Sequence, residues 1–374
     1  SEPYAPLLDS LSQVYLGIAS PTALRTWGPQ DYQFHQVGSG PFRFVEYLAD
    51  DHITLAQNEG YRWASPAYLS PSASLAGVEF RFFVDVPTRA LALESGQVDL
   101  IGEVPAHDAR RLVDSGDFRL YPVAIPGQPM QILFHVSVPP TDDRRVRQAL
   151  VLAVDRQEIV NTVFGGMSPV ARGPLSAGVP GFAEDTGFPL PDPAAAAALL
   201  EDAGWRFEGG RRRRGGEILS LRLVVPNWGS HPEVAQLVAA AWEDVGAEVE
   251  IEVAAGFGPL REAQSRGDYH AIMLNFFGTD PDLLTPFYAT GGLYNWFDLA
   301  DPEVDELLAA GRTALDPVVR RAAYRRLAQR ARDEAWILPI RDYVNLIVAH
   351  HRVQGMRFSP QGWFPYLIEF SLAP

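Results

Sequence analysis

The chain has 374 residues, enough for two or three domains at roughly 150 residues each, and long enough to bury a core without a disulfide or metal staple. Lys+Arg is 31 and Asp+Glu is 46, a net charge of −15, and a surface this acidic repels phosphate backbones and anionic lipid, so no nucleic acid or membrane partner is expected. Cys is absent, which excludes thiol nucleophiles, disulfides and thiolate metal sites, and every basic residue is Arg, which excludes a Walker A loop and a Lys Schiff base.

In chain order, Ser1–Pro6 is polar, so any targeting segment has been removed or lies outside this sequence. Val37-Gly38-Ser39-Gly40-Pro41-Phe42 lacks the third glycine of a dinucleotide loop and reads as a tight turn into a strand over Phe42–Tyr47. Val78–Val84 predicts a strand, Thr88–Ser95 a short helix, Val98–Ile101 a strand, Ala106–Asp114 a helix and Phe118–Ile125 a strand. Asp142 and Asp143 cap a helix with Val146, Leu150 and Val154 on one face. Asp155 begins a second helix, ended by Gly165-Gly166. The stretch 168–192 is Pro- and Gly-rich and reads as a long irregular loop; 193–203 is an Ala-rich helix.

Four consecutive arginines, Arg211–Arg214, lie between glycine pairs. Like charges repel unless spread into water, so a solvated hairpin tip is favoured over an anion site. Pro232 opens a helix to Val245, Glu248–Val253 alternates as a half-buried strand, and Leu260–Arg266 is helical. Ala271–Phe277 reads as a strand buried on both faces. Helices over Pro302–Ala310 and Val318–Asp333 and strands over Trp336–Ile340 and Val344–His350 follow, which together give an α/β class.

Catalytic motifs are scarce. The eight His residues show no i, i+4 pair, and His350-His351 on a strand would face opposite sides, so no metal site is expected. Asp280-Pro281-Asp282 follows the buried strand, where α/β sheets bind ligands; capping of a helix over Leu283–Tyr288 and recognition of a cationic or NH-bearing group are both open. Trp228 in Pro226-Asn227-Trp228-Gly229, and Tyr294-Asn295-Trp296 after Gly291-Gly292, place aromatics in turn-rich sequence, where binding surface and core packing compete.

The order of segments resembles family 5 solute-binding proteins of ABC importers, the peptide/nickel/oligosaccharide group. The resemblance rests on Gln36–Phe42, on Asp143-Arg144-Arg145-Val146-Arg147-Gln148-Ala149-Leu150 with Ala153–Arg156 and Ile159-Val160, on the helix and strand through 242–251, on 280–282 and on 302–308. It implies a type II periplasmic-binding-protein-like fold with two lobes joined by a hinge, no cofactor, and a ligand in the cleft. Lobe one would be 1–128 with 348–374 returning to it, and lobe two 129–347. The family's N-terminal part has no counterpart, so lobe one is expected to be incomplete.

The resemblance also implies a role. The chain would capture a small solute, an oligopeptide ahead of a sugar, and deliver it to an importer permease without catalysis, as a periplasmic or extracellular monomer that is free or lipid-anchored. A sensor on the same fold and a hydrolase with an unrecognised carboxylate pair are the alternatives. Expected ligand contacts are Trp228, Trp296 and Phe277 as stacking surfaces, Asn227 and Asn295 as polar contacts, Asp280 as a charge anchor, and Ser39 and Gly40 from lobe one. Two departures matter. The loop at Phe277–Asp280 is shorter than in dipeptide binders, and no Arg stands near Asn227–His231 for a peptide carboxylate. Both argue against a free dipeptide.

Overall fold

The computed structural model describes residues 2–179 and 187–373. Among the described residues, six α-helices begin at aspartate caps. Asp85, Asp143, Asp155, Asp192, Asp301 and Asp316 each accept a first-turn backbone N–H, starting the helices Val86–Glu94, Arg144–Leu152, Arg156–Phe164, Pro193–Asp202, Pro302–Thr313 and Pro317–Asp333. Gly165, at φ 58, ends the third of these as expected. The helix at Asp143 stops at Leu152, so Val154, expected on its face, is buried from the link that follows. Of the long loop expected over 168–192, residues 180–186 lie outside the described residues.

The chain divides into two compact units, one of Ser1–Asp9 with Ala124–Val344, the other of Ser10–Val123 with Asn345–Pro374. The first is built on a five-stranded sheet, in the order Glu248–Ala254, Ser220–Pro226, Ala271–Phe277, Gly127–Phe134, Ile337–Arg341. The first three strands run parallel, and Gly127–Phe134 runs antiparallel to both its neighbours. From Ser220–Pro226 the chain crosses one way to Glu248–Ala254, then back across to Ala271–Phe277. The two crossovers run in opposite directions, one through the helix His231–Asp244 and the other through Phe257–Arg266. The order therefore reverses between Ser220–Pro226 and Ala271–Phe277, the position where α/β sheets open a crevice at their C-terminal edge.

Gly127–Phe134 is buried along its whole length, yet sequence reading assigned no strand there. Gly, two Gln and a Pro hide the apolar pattern. Gly127 is required by close approach: its φ is +144 and a Cβ would lie 2.1 Å from the Phe276 carbonyl oxygen. Registers shift on both flanks of this strand, between Leu274 and Phe276 and between Pro339 and Arg341, as bulges do where a sheet edge is re-aimed.

The arginine run is corrected. Arg211–Arg214 is the middle strand of a meander, Arg206–Glu208, Arg211–Arg214, Glu217–Ile218. Gly209-Gly210 and Gly215-Gly216 turn it with positive φ at both positions of each pair. Alternation sends Arg212 inward, 4 % exposed, where it donates to the Val245 and Trp205 carbonyls, each at 3.0 Å, and pairs with Glu201. Arg214 lies 4.5 Å over the Trp205 ring. A period of two separates charges that a turn would have crowded.

The second unit carries an antiparallel sheet, Phe42–Leu48, His52–Gln57, Gly77–Arg81, and a second sheet in the order Leu100–Ile101, Val344–His350, Phe118–Ala124. Leu93, Ile101, Ala109, Leu112, Ile347 and Val348 are buried within it, and further apolar clusters lie around Tyr61, Ala73 and Ile368 and around Ala349, Val353 and Phe370. The tight turn expected at 37–41 is instead an extended approach with a bend at Gly40-Pro41, and neither Gly38 nor Gly40 has positive φ.

Candidate functional site

The crevice position in the first unit is flanked by two loops. Asn227–Ser230 leaves Ser220–Pro226, and Gly278–Asp280 leaves Ala271–Phe277. Trp228 is half-buried, and its indole Nε1 donates to Asn275 Oδ1 at 3.4 Å across the gap between these strands. Asn227 is exposed, held by its backbone N–H on the Ala254 carbonyl at 3.1 Å. Phe277, 39 % exposed, stands edge-on to Tyr343 at 5.2 Å. Asn227, Trp228 and Phe277 thus occupy one sheet edge.

The other sequence-derived residues are otherwise engaged. Asp280 caps the short 3-10 helix Pro281–Leu284, accepting from the Asp282 N–H at 2.8 Å, and pairs with Arg320. It does the capping job and anchors an internal arginine. Trp296 is 1 % exposed and packs among Phe257, Phe287 and Tyr294, so it presents no open stacking face. Asn295 donates to the Ala289 and Leu299 carbonyls at 3.1 and 2.7 Å and accepts from the Leu299 N–H at 3.0 Å, which ties its own loop together. In the second unit, the Ser39 and Gly40 carbonyls accept from Trp63 Nε1 at 2.8 Å and Asn58 Nδ2 at 2.9 Å.

Sequence reading did not single out a set of buried polar groups at the same sheet edge. His231, at the first turn of His231–Asp244, is 1 % exposed; its Nδ1 lies 2.8 Å from the Trp228 carbonyl oxygen, and its Nε2 has no partner. That contact assigns the proton to Nδ1. Burial pushes the imidazole pKa down to about 4, so it is neutral. Gln131 donates to Gln128 at 2.6 Å, while Gln128 Nε2 and Gln131 Oε1 are unbonded. Arg341 ends the strand Ile337–Arg341, and burial pulls its pKa down to about 10. Next to it, burial raises the Asp342 carboxyl to about 6; Oδ2 accepts from the Ala177 N–H at 2.9 Å. The sequence signal for this set was positional: polar residues interrupting apolar strands at one end.

Among the described residues no group of three His, Cys, Asp or Glu side chains could hold a metal ion, and no helix is long and apolar enough to cross a membrane. The second unit holds a groove of about 690 Å³ between Gly77–Arg81 and residues 97–103, which contains none of the sequence-derived contacts.

The model of the bacterial extracellular solute-binding proteins, family 5 Middle, matches residues 1–298. Protein XP55 of Streptomyces lividans is 31 % identical over 313 residues, covering 79 % of this chain and 54 % of that protein. The glutathione-binding protein GsiB of Pectobacterium atrosepticum is 26 % identical over 351 residues, covering 89 % of this chain and 63 % of that one. The chain thus spans between half and two thirds of the length of these relatives. Among solved structures, NikA from Brucella suis, in complex with Fe(III)-EDTA, superposes with a TM-score of 0.85 at 23 % identity, covering 100 % of this chain and 76 % of that one. The fold is that of the type II periplasmic binding proteins.

Proposed function

The chain belongs to the bacterial extracellular solute-binding proteins of family 5, and from that premise we propose that it captures a small solute outside the cytoplasm and hands it to an ABC importer, doing no chemistry itself. We identify its two compact units with the two lobes that such proteins carry. The observation that carries the reading is the sheet edge at the order reversal. There a half-buried Trp228, an exposed Asn227 and an exposed Phe277 stand beside buried polar atoms without partners. Apolar faces with a few fixed polar groups are what a small-molecule site requires. GsiB binds glutathione, a peptide, which favours a short peptide over a sugar for this chain too.

Native mass spectrometry of the gently purified protein tests capture. A non-covalent adduct, lost on denaturation and diminished in Trp228→Ala, is the expected result. A bare apo mass in the wild type, with no gain from added tripeptides or oligosaccharides, would overturn it.

A further inference from the structure

Arg341 is a buried cation with an unusual set of neighbours. It is 6 % exposed, and its guanidinium carbon lies 3.9 Å from the Phe164 ring centre and 4.5 Å from that of Tyr343. The two π faces hold the fork in place. Its Nε has no hydrogen-bond partner; the side chain that hydrogen-bonds the guanidinium is that of Tyr343, and among the described residues it forms no ion pair with a carboxylate. Asp342 is adjacent, but its Oδ2 is held by the Ala177 N–H and its Oδ1 is unbonded. The other buried arginines differ. Arg212 pairs with Glu201 and Arg320 with Asp280, while Arg147 and Arg156 donate to three or more carbonyls each. A buried charge left without a counter-charge is costly, and proteins keep such an arrangement chiefly where it has a use.

The surroundings sort the ligand's chemistry. Gln128, 1 % exposed, adds an unbonded N–H donor from the neighbouring strand at the same sheet end. His231 is close enough to feel the Arg341 charge and is neutral. Donors therefore outnumber fixed charges. A planar fork beside an amide fits the two oxygens of a carboxylate. A dianion such as phosphate would bring a second negative charge toward Asp342, in a chain already at −15.

We propose that Arg341 is the receptor for a carboxylate group of the captured solute. The inference rests on the capture reading but is tested separately from it. Thermal unfolding is followed in millimolar sodium succinate and in sodium chloride of matched ionic strength, far below concentrations at which excluded-salt effects operate. Succinate should raise the wild-type midpoint by a few degrees through mass action. Arg341→Met should lose that rise. Arg341→Lys, which keeps the charge and loses the fork, should retain at most part of it. It serves as the deciding variant if Arg341→Met does not fold. Equal wild-type midpoints in the two salts, or a rise retained in full by Arg341→Met or Arg341→Lys, would each overturn the proposal. A missing adduct in native spectra strikes the capture reading instead.

Discussion

Trp228 joins two strands through its indole N–H while keeping part of its surface open. Trp228→Ala should weaken adduct formation by about tenfold or more, the scale of a single aromatic anchor, with little loss of thermal stability, because the residue is not part of the fully buried core. Titration followed by intrinsic fluorescence measures it. A second expectation concerns pH. His231 is neutral in the folded chain with a pKa of about 4 against 6.5, so the unfolded chain binds the extra proton and this group's stability is lost as pH falls below 6.5. Asp342 has a folded pKa of about 6 against 3.8, so the folded chain binds the proton first and gains stability as pH falls through 6. Between pH 7 and 5 the two oppose one another. Relative to wild type over that window, His231→Gln should gain and Asp342→Asn should lose, each by about 1–2 kcal/mol. Urea unfolding at the two pH values reads both signs.

Strands and helices were legible to different degrees. Helix starts were read well because an Asp followed by a first turn is a local signal, as at Asp143 and Asp155. The strand Gly127–Phe134 was not, because its burial comes from neighbours on both sides rather than from its own composition. Gly127→Ala should therefore be severe, since a Cβ would press on the backbone of Phe276, Phe277 and Gly278, which no side-chain movement relieves; a loss of several kcal/mol or failure to fold is expected by urea titration. The arginine run was misread because charge density alone does not reveal alternation. Arg212→Ala leaves two buried carbonyls unpaired and Glu201 with Arg206 alone, and should cost about 3 kcal/mol, whereas Arg213→Ala, on the opposite face, should stay within about 0.5 kcal/mol. The placement of Asn227, Trp228 and Phe277 at strand ends was legible because loops after strands are visible in sequence. Trp296 and Asn295 were not, since the same turn-rich signal also marks a loop that folds in on itself. Arg341 and Gln128 escaped because their meaning depends on what lacks a partner, which no spacing records.

Across the whole chain, the apolar core is unevenly shared. The first unit holds one large buried cluster through its sheet and helices, whereas in the second the strands Phe42–Leu48 and His52–Gln57 carry no fully buried residue. Amide hydrogen exchange should accordingly be slowest in Ile132–Phe134, Leu221–Val225 and Ala271–Leu274 and markedly faster in Phe42–Gln57. Equal protection of both sets would contradict that ordering. The capping aspartates carry a further consequence, for how such a chain can drift over generations. Asn and Ser start helices about as well as Asp. Replacing Asp85, Asp143, Asp155, Asp192, Asp301 and Asp316 by Asn would take the net charge from −15 to −15 + 6 = −9 with every one of these helix starts retained. Electric charge and architecture are thus separately heritable here. A lineage moving to a saltier or more acidic habitat could retune the one while leaving the other alone.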